Sequence, residues 1–250
     1  MSIINSIPAE WRSVVKASTD HDVSVIDPFP NTPTIRMEGD NLVPILDASS
    51  KQIYQLFLQK KQIPPTAKQK LTDKYPNTAI NWQKVYSLAF QTTLESKIRE
   101  FQYKILNCIV FTNEKLSRIG LVESPSCTFC QEVAESVEHL LFSCKISSDF
   151  WKHVLSWLRD NHVLVGTIDE SDLILGKFDI VNDFILINHI LLLGKFYIYS
   201  RRCLNSVPTL RGFVARTRRV YNIELHIARE KNKLLAHFQK WEKLINALIT

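Results

Sequence analysis

Glycine is scarce in this chain, six in 250 residues, and proline is little commoner at ten. So few punctuating residues supply too few turns for a sandwich or barrel of short strands, and they favour long helices. Long apolar runs are missing as well. The longest, Phe184 to Gly194, is interrupted by Asn188 and His189 and falls short of the roughly 20 residues that a membrane span requires. The N-terminus, MSIINSIPAEWR, has neither the cationic nor the apolar stretch of a secretory signal. There is no Gly-rich phosphate loop, and His153 and His162 have no serine or cysteine partner at a recognisable spacing, so nucleophilic catalysis has no support.

What is present is a foldable chain. Apolar residues make up 45% and aromatics 10%, enough to bury a substantial core and to argue against disorder. The five cysteines are odd in number, and two form a C-x-x-C. That usage points to metal chemistry in a reducing compartment rather than to disulfides. The expectation is an intracellular protein, cytoplasmic or nuclear, with no membrane partner.

The net charge of +6 is unevenly spread: −4 over residues 1–50, +8 over 51–118, −7 over 119–194 and +9 over 195–250. Two basic blocks flank an acidic middle.

Periodicity gives a mainly α fold. Residues 1–48 read as irregular because Pro28, Pro30 and Pro33 exclude a long helix, with a short hairpin available where Thr34–Met37 and Leu42–Ile45 flank Glu38–Asp40. Ser49 or Ser50 can cap a helix that Pro64 and Pro65 stop. Asn81 can cap a second, carrying Trp82, Val85, Leu88 and Ala89. Thr92 and Glu95 have capping-box spacing ahead of Leu94, Ile98, Phe101 and Ile105. Thr112 can open a short helix that Gly120 closes. Residues 180–204 are apolar nearly all round from Phe184 to Leu193, as in a buried helix. Leu234, Phe238, Trp241, Ile245 and Leu248 make an apolar stripe in the last block, which reads as one long helix or two. Composition alone divides the chain into an irregular segment 1–48, a helical region 49–120, a small metal module 121–165 and a basic helical region 166–250.

The metal module rests on Cys127, Cys130, His139 and Cys144, spaced C-x2-C-x8-H-x4-C. Structural zinc takes four thiolate or imidazole ligands in a tetrahedron. A C-x2-C turn supplies one edge, and His139 with Cys144 supplies the other from a separate element. Three thiolates and an imidazole leave no open position for water, so the expectation is one structural zinc without a Lewis-acid role. Cys108 and Cys203, each alone on a helix, read as small buried hydrophobes.

Two sets of cations are candidates for contact with RNA or DNA. Arg201, Arg202, Arg211, Arg216, Arg218 and Arg219 lie near Phe196, Tyr197 and Tyr199, which could offer stacking faces. Lys97, Arg99 and Lys104 share one face of the helix ahead of the metal module. The surroundings of the metal residues are acidic instead (Glu123, Glu132, Glu135, Glu138, Asp149), which suits a structural clip better than a grip on phosphates. The carboxylates Asp169, Glu170 and Asp172 read as a helix cap.

The Cys-x-x-Cys, the following Glu-Ser-Val-Glu-His-Leu-Leu-Phe-Ser-Cys over 135–144 and then Phe150-Trp151 resemble the zinc-binding module that follows the polymerase in LINE-type (non-LTR) retrotransposon reverse transcriptases. Residues 96–106 and 112–116 resemble the helices leading into it. Residues 191–199, 208–213 and 221–224 are similar to the tail of such polyproteins, so the resemblance spans roughly 50–245. It implies a nucleic-acid-associated accessory region, with the parent polymerase as a partner. The chain has no Asp-Asp pair for the polymerase metals and no Pro-Asp of the nuclease found in some relatives. The expectation is therefore a non-enzyme. The alternative is a structural or protein-interaction module, a retrotransposon remnant without retained activity.

Overall fold

A computed structural model describes residues 34–36, 42–61, 65–76, 78–178 and 183–249. The three prolines from Pro28 to Pro33, the Glu38–Asp40 turn and Pro64 lie outside the described residues. The chain divides into two compact units, Met1–Ile63 and Pro64–Thr250. The metal module of residues 121–165 lies within the second unit.

In the first unit, β1 (Thr34–Arg36) and β2 (Leu42–Pro44) pair antiparallel, with Ile35 opposite Val43. Pro44 is tolerated because a two-stranded sheet has only edge strands. Helix α1 (Ser50–Lys61) follows. Ser49 caps it reciprocally: its backbone N–H donates to Gln52 Oε1 at 2.8 Å, and its hydroxyl accepts from the Gln52 N–H at 3.3 Å.

The second unit holds α2 (Thr66–Lys74), α3 (Trp82–Thr92), α4 (Ser96–Leu106), α5 (Asn113–Arg118), α6 (Lys145–Asp160), α7 (Glu170–Leu175), α8 (Phe184–Cys203), α9 (Leu210–Glu230), α10 (Leu234–Trp241) and α11 (Ile245–Ile249). Asn81 caps α3 by accepting from the Lys84 N–H at 3.1 Å. The Thr92–Glu95 capping box does not form. Thr92 ends α3 with its hydroxyl donating to Leu88 O, and Glu95 occupies the cap position of α4 with no side-chain bond. The last block is broken into three helices. Its inner face is His237, Trp241, Leu244 and Leu248, whereas Leu234 and Phe238 of the expected stripe are exposed. The reason is polar: the Trp241 indole N–H donates to the buried carboxylate of Glu224, which fixes the roll of α10.

Helix α8 is the axis of this unit. It is buried on all sides from Leu186 to Lys195, and α3, α4, α7, α9 and α10 pack around it. Trp151 of α6 lies against Gly194, where a Cβ would come within 2.4 Å of the indole, and its N–H donates to Leu141 O at 2.7 Å. That indole thereby ties α6 and α8 to the turn that carries His139. Replacing Gly194 with alanine forces a buried ring to move, and the expected loss is about 1–3 kcal/mol. A thermal or denaturant melt reads it; an unchanged midpoint would show that the contact is dispensable.

Candidate metal centre and basic groove

The first two ligands sit on a knuckle. The Cys127 N–H donates to Val133 O at 2.8 Å, the Gln131 N–H returns to Cys127 O at 2.9 Å, and Ser126 bridges Ala134. Gln131 takes a left-handed φ of 60° to close the turn. The second two span one wide π turn, His139–Ser143, in which the Cys144 N–H bonds His139 O at 2.7 Å. The five-residue step between His139 and Cys144 is what an i to i+5 turn closes. The apolar flank of that turn, Leu140 and Leu141, is buried and packs toward α8 and α6.

The four donor atoms lie within 4.8 Å of one another. Cys127 Sγ and Cys144 Sγ are 3.8 Å apart, and Cys130 Sγ is 3.3 Å from His139 Nε2. A tetrahedral zinc with bonds of about 2.3 Å to sulfur sets neighbouring sulfurs roughly 3.8 Å apart, whereas a disulfide needs about 2.05 Å. The arrangement fits a four-coordinate metal and not a cystine. Ser143 Oγ is 3.5 Å from His139 Nδ1, on the side of the ring away from the sulfurs, which suits coordination through Nε2.

Burial pushes the Cys127 thiol up to about 12 and the Cys144 thiol upward as well. Burial also acts on Cys130, but hydrogen bonds from the Glu132 backbone and from His139 outweigh it and bring that thiol down to about 7. The two buried sulfurs are therefore protonated unless a cation takes the proton's place. A structural metal supplies that cation.

The structure sorts the expected cations into used and free. Arg202 is turned inward: its side chain is 10% exposed and ion-paired at 2.9 Å to Glu135, which is fully buried. Arg99 donates to Thr93 O and lies over the Phe90 ring, and Lys104 pairs with Glu100 one turn back. Arg211 is exposed, and Arg218 is half-buried with its Nε unpartnered.

Lys97, Arg201, Arg216 and Arg219 come together. They line a groove of about 680 Å³ with Glu95, Ser96, Phe196, Tyr197, Ser200 and Leu204, formed by the start of α4, the end of α8 and the middle of α9. Arg216 is held by Glu95 at 2.5 Å, and the Arg201 Nε is buried without a partner. The aromatic residues are committed elsewhere: Phe196 packs on Phe101, and Tyr197 on Phe150 and Phe213. They wall the groove and do not present free stacking faces.

One further expectation changes and another is met. Cys203 is exposed and Cys108 is half-buried, because both stand where a helix has ended or is ending and its apolar face no longer meets the core. The Asp169–Asp172 cluster is a capping box, with Asp169 accepting from the Asp172 N–H at 2.8 Å and its own N–H donating back at 3.2 Å. Sequence reasoning missed Glu135 and Asn113, which join the knuckle to α8. A carboxylate five residues past Cys130 carries no signal that separates it from its solvated acidic neighbours.

Among the described residues, no helix is long and apolar enough to cross a membrane. No curated protein matches the chain. Residues 49–151 match the family described as zinc-binding in reverse transcriptase, and that match with the Cys3His geometry makes the centre a structural zinc site.

Proposed function

We propose that this chain is a non-catalytic accessory region of a LINE-type (non-LTR) reverse transcriptase, which holds RNA or single-stranded DNA by its sugar-phosphate backbone beside the polymerase. The observation that supports this reading is the groove. Lys97 and Arg201, Arg216 and Arg219, more than 100 residues apart in sequence, converge on one concavity. Cations gathered from three helices form a track for phosphates, whereas an ordinary solvated helix face would scatter them. The zinc's part is to hold the helices that build the track, since the carboxylates around it disfavour direct phosphate contact.

A salt titration with single-stranded RNA and DNA tests the reading. Three cations not held by a carboxylate predict a slope of log K against log salt of about −2 for single strands. Reversing Arg201 and Arg219 to glutamate should flatten that slope and abolish binding at moderate salt. Absence of affinity at low salt, or indifference to salt, would overturn it. Primer extension in magnesium is expected to give no product from this chain alone.

A second reading, a protein-interaction module, is favoured by one feature. Ile109, Phe111, Ile119 and Leu121 are each about half exposed or more on the approach to the zinc knuckle, and clustered exposed apolar side chains commonly mark interfaces. Retained nucleic-acid affinity in a variant with these four replaced by serine would separate the groove from that surface.

A further inference from the structure

The zinc knuckle is tied to the rest of the helical unit through one buried carboxylate. Glu135 is 0% exposed. Its Oε2 accepts from the backbone N–H of Thr128, which lies between Cys127 and Cys130 (2.8 Å). Its Oε1 accepts from the backbone N–H of Asn113 at the start of α5 (2.9 Å) and from Arg202 Nε at the end of α8 (3.0 Å). The same guanidinium donates through its second nitrogen to Asn113 Oδ1 at 2.6 Å, while the Asn113 amide donates to Ser126 O (2.8 Å) and to Thr128 Oγ1 (3.2 Å). These bonds run either to the loop that presents Cys127 and Cys130 or to the residues that hold it.

We infer that Arg202, acting through Glu135 and Asn113, is a positioning residue for the zinc centre, so that the zinc-binding unit extends beyond the matched segment 49–151 to the C-terminal end of α8. The physical reason is the cost of a buried carboxylate. Without Arg202, Glu135 keeps two backbone donors but loses its countercharge in a site closed to water, and such a group moves toward solvent. Moving it pulls on the Thr128 N–H and opens the turn that sets the spacing between Cys127 and Cys130. Partners that orient a metal's ligands from behind are commonly worth 10–100-fold in metal affinity. Sequence spacing shows none of this, because Arg202 stands 58 positions beyond Cys144 and looks like one more cation of a basic tail.

The test is zinc affinity of the whole chain, measured by competition with a chromogenic chelator. Arg202→Met is expected to weaken zinc binding 10–100-fold. Arg202→Lys can hold Glu135 but cannot fork to Asn113, and is expected to recover part of that loss. Glu135→Gln should weaken binding similarly, and the double variant should be no worse than the weaker single, since both break one cluster. A general loss of stability is separated by Leu248→Ala, which empties a buried position of α11 without touching the cluster. Wild-type zinc affinity in Arg202→Met, additive losses in the double variant, or an equal loss in Leu248→Ala would each overturn the assignment. None of these readouts depends on nucleic acid, so the groove's role and Arg202's role stand or fall separately.

Discussion

Serine at Cys127 or at Cys144 abolishes the bound zinc and unfolds the chain from the knuckle to the first turns of α6. Apparent zinc binding free energies in structural sites run to about 10–16 kcal/mol at neutral pH, comparable with or larger than the 5–15 kcal/mol that holds a typical domain together. Besides the metal, this segment is held by the buried Leu140–Leu141 pair and by the Glu135 cluster, which position it without closing the knuckle. From Pro125 to Cys144 its backbone makes a handful of turn bonds and one isolated bridge, and Glu135, buried among them, depends on the same loop. Because burial raises Cys127 and Cys144 when they carry protons, metal uptake must release those protons. Affinity should therefore fall as pH falls, and chelators should act faster in acid. Cys108→Ser and Cys203→Ser, at a half-buried and an exposed position outside the site, are the controls and should keep one zinc per chain. Metal analysis alongside far-ultraviolet circular dichroism measures both effects. Full retention of zinc in both Cys127→Ser and Cys144→Ser would show that the ligand set is misassigned.

The ligand set and the helical class were legible in the sequence because each is written in local spacing. C-x2-C and H-x4-C are separations that a knuckle and a π turn can bridge, so they show in the sequence even though distant residues brace them, and the apolar run from Phe184 suits a helix buried along most of its length. Charge was legible as a block but not as a partner. Glu138 and Glu170 both pair with Lys74 of the first basic block, Glu95 pairs with Arg216, and Glu135 with Arg202. The acidic middle and the basic flanks therefore neutralise one another across 64 to 96 positions of sequence, the two basic blocks are joined by Glu95 and Arg216 across 121, and no window of neighbouring residues encodes such pairings. The cation groove was half visible. Lys97 and the arginines of α8 and α9 were recognisable as candidates, but the end of α8 also holds Arg202, whose inward turn depends on where α5 begins. The roll of α10 failed to appear for the same reason, since Glu224 fixes it from a helix away.

Lys195 sets up the other large effect, in the dependence of stability on pH. It sits in the middle of α8, 1% exposed, and its ammonium donates to Gln102 Oε1 at 2.6 Å and to Leu173 O. No carboxylate is bonded to it in that cluster. Burial alone brings it down to about 7, against about 10.4 in an unfolded chain. Between those values the unfolded chain binds a proton that the folded chain does not, so stability rises as pH rises from 7 toward 10. The gain from this one group is about 3–4 kcal/mol over that window, at roughly 1.4 kcal/mol per pH unit less the partial titration at either end. Below pH 7 both states carry the proton and the slope vanishes. Lys195→Met removes the titration but strands two acceptors, at a cost of about 1–3 kcal/mol. At pH 7 that loss offsets most of what is gained by removing a buried cation, and the two proteins should have similar stability. At pH 10 the native lysine is a neutral amine that still donates to both oxygens, and the wild type should be the more stable by about 3–4 kcal/mol. Denaturant melts at pH 7, 8.5 and 10 measure the divergence, and the difference between the two proteins cancels every other titrating group. Parallel curves across that range would mean that Lys195 keeps its charge in the core, held by the two oxygens alone.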